Sequence, residues 1–203
     1  VSPTYSWGLP VIVTEFLQRL NLSHKPDYIF FIATYGTTPG QTGRFADNIL
    51  APKGLPLSAK FGVKMPDTWT PIFNLRNKEK VRRVNDRAEL EIDNIIKQIK
   101  NFTVGDFMKN KLPYTLARIV YKIEYNSMRK TKHFWIEDTC VGCGLCTKNC
   151  PVSAIELKDR KPEWTKEQCV MCLSCLHHCP KFAIQYGKNT KKHGQYVHPL
   201  GST

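Results

Sequence analysis

This chain of 203 residues lacks several features that would assign it to a common class of protein. No run of eighteen or more apolar residues occurs, so we expect no membrane span. No secretory signal is visible. We find no nucleophile, general-base pair or substrate motif, and we therefore predict no catalytic residue. Zinc-finger and RNA-recognition motifs are also missing, which makes nucleic acid the weakest of the candidate partners.

Cysteine is missing from most of the chain, because all eight cysteines lie between Cys140 and Cys179. A secreted disulfide framework does not have this distribution. The clustering indicates a reducing compartment, which we take to be the cytoplasm, and a bound metal.

The net charge of +13 is concentrated in one block. Residues 74–134 contain 15 Lys and Arg against 7 Asp and Glu, and the segment from Gly187 adds three lysines, Lys188, Lys191 and Lys192. The block is compatible with a solvated helix face. It is also compatible with an acidic redox partner, a phosphate-bearing cofactor or nucleic acid.

Residues 1–105 alternate helix and strand signals and predict a partial α/β domain with an incomplete parallel sheet. A helix is expected after Pro10. The continuous apolar run YIFFIAT at residues 28–34 predicts a strand buried on both faces. Apolar residues recur every three or four positions through residues 77–102, which predicts a long helix packed on the sheet. A short helix at residues 44–50 and a strand at residues 57–65 complete the pattern.

Residues 106–133 are predicted to form a helical connector. Its helix is expected from about residue 113 to residue 128, with Leu116, Ile119, Val120 and Ile123 facing inward. The polar segment at residues 187–203 is expected to be a frayed tail.

The segment at residues 134–186 repeats itself with an offset of 29 residues. CVGCGLCTKNCPVSAI at Cys140 aligns with CVMCLSCLHHCPKFAI at Cys169. Both copies have the spacing C-x2-C-x2-C-x3-C-P, which is that of bacterial ferredoxins, where the fourth cysteine binds the other cluster. Three thiolates two residues apart can surround one face of a cubane as the backbone curls, and the fourth must approach from outside. The first set is then Cys140, Cys143, Cys146 and Cys179, and the second set is Cys169, Cys172, Cys175 and Cys150.

Zinc is the main alternative, since two C-x2-C pairs can bind one tetrahedral zinc ion. Zinc does not account for the third cysteine or for the repeated Cys-Pro. Gly142 and Gly144 permit backbone angles that a looping chain needs, whereas Met171 and Leu173 replace them in the second copy, so the two clusters are expected to differ in potential. His177 and His178 are predicted to be surface histidines, because eight thiolates already satisfy two cubanes.

Residues 134–186 closely resemble two-cluster bacterial ferredoxins. The resemblance implies a small α+β domain of βαββαβ type with pseudo-twofold symmetry. It also implies two 4Fe-4S clusters and one-electron transfer at low potential.

The N-terminal part resembles the latter half of flavodoxin. In that family, loops after the third and fourth strands embrace the ring of FMN, and PTYSWGLP and TYGTTPG stand in the corresponding places here. The candidate FMN-binding residues are Tyr5, Trp7, Gly8, Tyr35 and Gly36. No Ser/Thr/Gly-rich phosphate loop precedes Tyr5, and we expect that roughly 50 residues, a βαβ unit and a little more, lie upstream.

The whole arrangement resembles flavodoxin–ferredoxin fusion proteins of anaerobic bacteria and archaea. This implies an electron-transfer protein and, if it is an enzyme, a flavin and iron–sulfur oxidoreductase. One alternative is a plain ferredoxin module whose α/β part is a docking platform for a partner. A less favoured alternative is a nucleic-acid-binding protein with structural iron–sulfur clusters.

Overall fold

In a computed structural model, which describes residues 1–109 and 111–199, the chain divides into two compact units. The first unit contains Val1–Pro66 and Glu79–Asn126. The second contains Asp67–Lys78 and the chain from Ser127 onward. Over the described ranges, no helix combines the length and the apolar character that crossing a membrane would require.

The first unit is built on a parallel sheet whose strands lie in chain order. Its strands are β1 (Ser2–Pro3), β2 (Phe30–Tyr35), β3 (Ala59–Lys64) and β4 (Gly105–Asp106). Each connection contains a helix, and these are α1 (Val11–Arg19), α2 (Thr42–Leu50) with a 3-10 turn at Ala51–Lys53, and α3 (Lys78–Lys100). The predicted α/β architecture is therefore confirmed, while its likeness to flavodoxin stays a prediction.

Helices cover both faces of this sheet. Leu17 of α1 and Ala46 of α2 pack with Phe31 and Ala33 of β2 on one face. On the other face, α3 packs against β3, and the residues involved are Ala88, Ile95, Ala59, Phe61 and Val63. The prediction that the apolar stripe of α3 packs on the sheet is confirmed.

The helix after β4 is interrupted by a wider turn. It consists of α4 (Tyr114–Val120), a π-helical stretch (Tyr121–Tyr125) and α5 (Asn126–Met128). The predicted inward face is wrong, because Leu116, Ile119 and Ile123 are exposed and Val120 is only half-buried.

The buried face of this helix is formed instead by Ala117 and Tyr125, with Tyr121 half-buried beside them. The Tyr121 hydroxyl donates to the carbonyl of Leu9, and the Val11 amide donates to the Tyr125 hydroxyl at 3.3 Å. The two tyrosine rings bury apolar surface, and their hydroxyls bond to backbone groups at the start of α1, which the aliphatic side chains could not do.

The second unit follows the order strand, helix, strand, strand, helix, strand that the resemblance implies. Its elements are β5 (Phe134–Ile136), α6 (Leu145–Lys148), β6 (Ile155–Lys158), β7 (Lys161–Trp164), α7 (Ser174–His177) and β8 (Ile184–Tyr186). Strand β5 pairs antiparallel with β8, and β6 pairs antiparallel with β7. A 3-10 turn at Thr131–His133 precedes β5, and α8 (Thr190–His193) follows β8.

Two segments outside the repeat are built into the second unit. Residues 67–78 contribute Trp69, whose ring lies 5.7 Å from that of Tyr186. The Leu75 amide donates to the carbonyl of His193 at 2.8 Å. Thr190 is fully buried and its hydroxyl accepts from the Tyr186 amide. The prediction of a frayed tail is therefore wrong for residues 187–199, and residues 200–203 lie outside the described part.

Candidate metal centre

The first set of cysteines surrounds a single cavity. Cys140 and Cys143 lie in the loop that precedes α6, and Cys146 lies within α6. All four members of the first set line the cavity, including Cys179 from the second copy. Apolar side chains supply most of the remaining wall, among them Val141, Leu145, Leu157 and Ile184. The structure thus places the fourth cysteine of one copy beside the first three of the other.

The second set is brought together in the same crossed manner. Burial raises the pKa of Cys175 well above its ordinary value, and Cys172, Cys169, Cys150 and, from the first set, Cys146 raise it further. Burial also raises the pKa of Cys169 to about 11, with Cys172 and Cys150 adding to the effect. The pKa of Cys172 is raised by burial and by Cys150. Cys150 acts on all three thiols and is therefore near each of them, whereas Cys146 acts on Cys175 alone.

These thiols fit a metal cluster better than a single ion. A buried thiolate needs compensating positive charge, which a metal supplies, and the raised pKa values mean that binding must release protons. Zinc–sulfur bonds of about 2.3 Å bring the ligand sulfurs of one zinc ion to about 3.8 Å from each other. Within residues 1–109 and 111–199, no three His, Cys, Asp or Glu side chains converge closely enough to hold one ion. In a cluster the thiolates bind different irons and lie farther apart.

The backbone around the two sets is repeated, although the residues differ. Gly142 and Gly144 have φ values of 66° and 77°, and Met171 and Leu173 at the matching positions have 56° and 53°. Side chains in this left-handed region cost roughly 1–2 kcal/mol per residue. The second copy tolerates that strain because both side chains are buried in the apolar core of the unit.

Backbone amides donate to sulfur at corresponding places in the two copies. The Ala154 amide donates to Cys150 Sγ at 3.2 Å, and the Ala183 amide donates to Cys179 Sγ at 3.3 Å. The Met171 amide also donates to Cys169 Sγ, at 3.3 Å. Such bonds stabilise thiolates and help to set the potential of a cluster. The sequence predictions did not include these alanines, although the Ala-Ile pair that follows each Cys-Pro recurs in both copies.

His177 is buried, so the prediction of a surface histidine is wrong for this residue, whereas His178 is exposed. The Nε2 atom of His177 lies 3.0 Å from the carbonyl oxygen of Thr68, and the Nδ1 atom of His177 accepts from the Tyr196 amide at 3.2 Å. These partners require a neutral ring protonated on Nε2. Burial lowers the pKa of His177 to about 4, and the Thr68 carbonyl opposes that effect. The histidine therefore joins residues 67–78 to the segment that follows α8.

The two predicted flavin loops lie next to each other at the carboxyl edge of the parallel sheet. Tyr5 and Gly8 exchange backbone hydrogen bonds across a tight turn, with Trp7 near its tip. The Gln41 amide donates to the Trp7 carbonyl at 2.9 Å, which links the loop after β1 to the loop after Tyr35 and Gly36.

Two of the predicted stacking residues already have protein partners. The Tyr5 ring lies 6.0 Å from that of Tyr125. The Tyr35 ring lies over Gly62, where an added Cβ would come within 3.1 Å of it. Their packing roles explain both aromatics without a cofactor, and the flavin site stays a prediction.

One of the lysines that were expected to meet an acidic partner is already engaged. Lys191 Nζ lies 2.8 Å from a carboxylate oxygen of Glu137. Lys188 and Lys192 are exposed.

The element order and the crossed cysteine sets define a small iron–sulfur domain of ferredoxin type. Residues 133–180, about a quarter of the chain, match the family described as "4Fe-4S dicluster domain". The second unit therefore contains a 4Fe-4S dicluster ferredoxin domain, which is a metal-binding, electron-transfer domain. Neither the curated proteins nor the solved structures gave a match to the chain.

Proposed function

We propose that this protein transfers single electrons at low potential through two 4Fe-4S clusters. The first set would hold one cluster and the second set the other. The observation that carries the assignment is the cavity lined by Cys140, Cys143, Cys146 and Cys179, since it joins cysteines from both copies. When bound, each cluster supplies reversible one-electron chemistry.

The chain itself would position the clusters and tune them. Apolar side chains surround both sets, most closely the second, and amides donate to the sulfurs of Cys150, Cys169 and Cys179. Because reduction adds negative charge, a more deeply buried site is harder to reduce. The greater burial of Cys175 supports a lower potential for the cluster of the second set.

Anaerobic purification followed by metal analysis tests this proposal. We expect a brown protein with about eight iron and about eight sulfide per chain, bleached by dithionite. Cys143→Ala and Cys172→Ala form a matched pair, and each should leave one cluster intact. A colourless protein with stoichiometric zinc would overturn the proposal.

As a second candidate, we propose that the α/β unit binds FMN and that the flavin exchanges electrons with the clusters. The contact between the loops after β1 and β2 favours it, since ligands of such sheets bind outside the carboxyl ends of strands. FMN titration of the longest product of the gene, followed by its flavin fluorescence, is the test. Binding that weakens in Trp7→Ala and not in Trp135→Ala of the second unit supports this candidate. The absence of binding favours the plain ferredoxin module with a docking platform.

A further inference from the structure

The two copies of the repeat differ in how far the rest of the protein covers them. Val141 is 49% exposed, whereas Val170 at the matching position is 2% exposed. Leu157 is 42% exposed, whereas Tyr186 at the matching position is 7% exposed. The two copies share their cysteine spacing and their backbone turns, so the difference originates outside the cysteine motif.

Two covering segments enclose the second set from within its own unit. Trp69, from residues 67–78, packs with the apolar core around Cys175 and Leu176. Gln195, beyond α8, donates its side-chain amide to the carbonyls of Leu176 and Cys179. His177 ties the two segments together through Thr68 and Tyr196.

The first set has an open face instead, formed by Val141, Leu145 and Leu157. These three residues line the cavity of the first set and are also exposed to solvent. Lys181 is the charged residue that lines this cavity. Within three positions of Val141, Leu145 or Leu157 along the chain lie three acids and three further bases, namely Asp138, Glu156, Asp159, Lys148, Lys158 and Arg160. The open face is therefore nearly neutral, although the chain carries +13. Charges farther away than about 8 Å are largely screened at physiological salt.

Building on the two clusters proposed above, we propose that the open face is where a redox partner protein contacts this chain. The partner presents an apolar and nearly uncharged surface of its own, and the covering segments close the second set to it. A small apolar contact without strong charge steering suits the transient encounters of redox proteins, which bury less than about 1,200 Å². This departs from the expectation of an acidic partner held by the basic block.

The accessibility of the bound clusters can be measured with two paramagnetic chromium(III) complexes of opposite charge. Dithionite-reduced protein is mixed with trianionic tris(oxalato)chromate(III) or with tricationic tris(ethylenediamine)chromium(III), and the enhancement of electron-spin relaxation is measured by EPR power saturation. Leu157→Asp adds a carboxylate to the open face. Leu116→Asp is the matched control at a leucine that is 46% exposed in the first unit. Gln168→Asp adds the same charge beside Cys169 of the second set.

In the wild type, we expect the anion to enhance relaxation no more than about tenfold better than the cation, because the bases around the open face exceed the acids by one charge. A carboxylate about 8 Å from the probe should shift the anion-to-cation ratio of Leu157→Asp about tenfold toward the cation. Leu116→Asp and Gln168→Asp should leave the ratio unchanged. If Leu157→Asp fails to load iron, Val141→Asp takes its place.

Two results would overturn the inference. A shift of the anion-to-cation ratio in Gln168→Asp without one in Leu157→Asp would show that the second set is the one accessible to the probes. A wild-type preference for the anion of more than about tenfold would mean a cationic face and an acidic partner. Iron and sulfide analysis of the same samples separates either result from failure of the proposed function, in which case no 4Fe-4S signal is present.

Discussion

Replacing Gly142 with alanine is expected to destabilise the second unit far more than the same change at Gly144. Both glycines have positive φ, so each substitution costs roughly 1–2 kcal/mol for the left-handed backbone. At Gly144 the added Cβ would meet Leu157 Cδ1 at 3.4 Å and Thr147 Oγ1 at 3.8 Å, which are ordinary contacts. At Gly142 it would lie 2.5 Å from the Arg160 carbonyl oxygen and 2.9 Å from the Arg160 Cβ.

The clash at Gly142 cannot be relieved by rotating a side chain, because the nearest atom belongs to the turn between β6 and β7. Asp159 and Arg160 in that turn already have φ values of 50° and 63°. Moving this turn adds about 2–3 kcal/mol, which is typical of overpacking. Anaerobic urea titration, followed by visible absorbance, should therefore give midpoints about 1 M apart for the two variants. Equal midpoints would refute the reasoning.

Three further predictions concern both units. The pKa of His177 is lowered to about 4 from its ordinary value of 6.5, so the unfolded chain takes up the proton first as pH falls. The free energy of unfolding keeps its full value above pH 6.5, and the protonation of His177 in the unfolded chain lowers it by up to about 3 kcal/mol as the pH falls toward 4. Urea midpoints at pH 5 and pH 7 should differ less in His177→Gln than in the wild type, and an equal difference would contradict the burial argument. Ile123→Ser should change the free energy of unfolding of the first unit by less than about 0.5 kcal/mol, whereas Tyr125→Ala should lower it by about 3 kcal/mol. The reverse order would mean that the face with Ile123 is the buried one. Removal of iron by a chelator should abolish hydrogen-exchange protection in the second unit and preserve it in β2, β3 and α3, because each unit has its own core; loss of protection in both would show that they unfold together.

The parts of the structure that depend on local pattern were predictable from the sequence. The apolar period of α3 and the apolar run of β2 depend on residues close together in the chain, and both elements are present. The crossed grouping of Cys150 and Cys179 also followed from spacing, because a repeated ligand motif constrains the fold strongly. That these cysteines bind clusters stays a prediction until the metal content is measured.

The parts that depend on distant segments were not predictable in this way. Nothing in the residues around Trp69 indicates that they pack beside Tyr186, more than a hundred positions later. The burial of His177 depends on Thr68 and Tyr196, which have no motif. On the helix from Tyr114 to Met128, periodicity favoured the aliphatic residues, and tertiary packing favoured the tyrosines that could also bond to the backbone of Leu9 and Val11.

The crossed binding of two clusters is tested most directly by iron content in two double variants. In Cys150→Ala/Cys172→Ala both changes fall in the second set, so we predict about four iron per chain in the cluster of the first set. In Cys150→Ala/Cys143→Ala the changes fall in different sets, and we predict that neither cluster keeps its full iron content. The opposite result, with an intact cluster only in Cys150→Ala/Cys143→Ala, would show that Cys150 serves its own copy and would contradict the crossed arrangement.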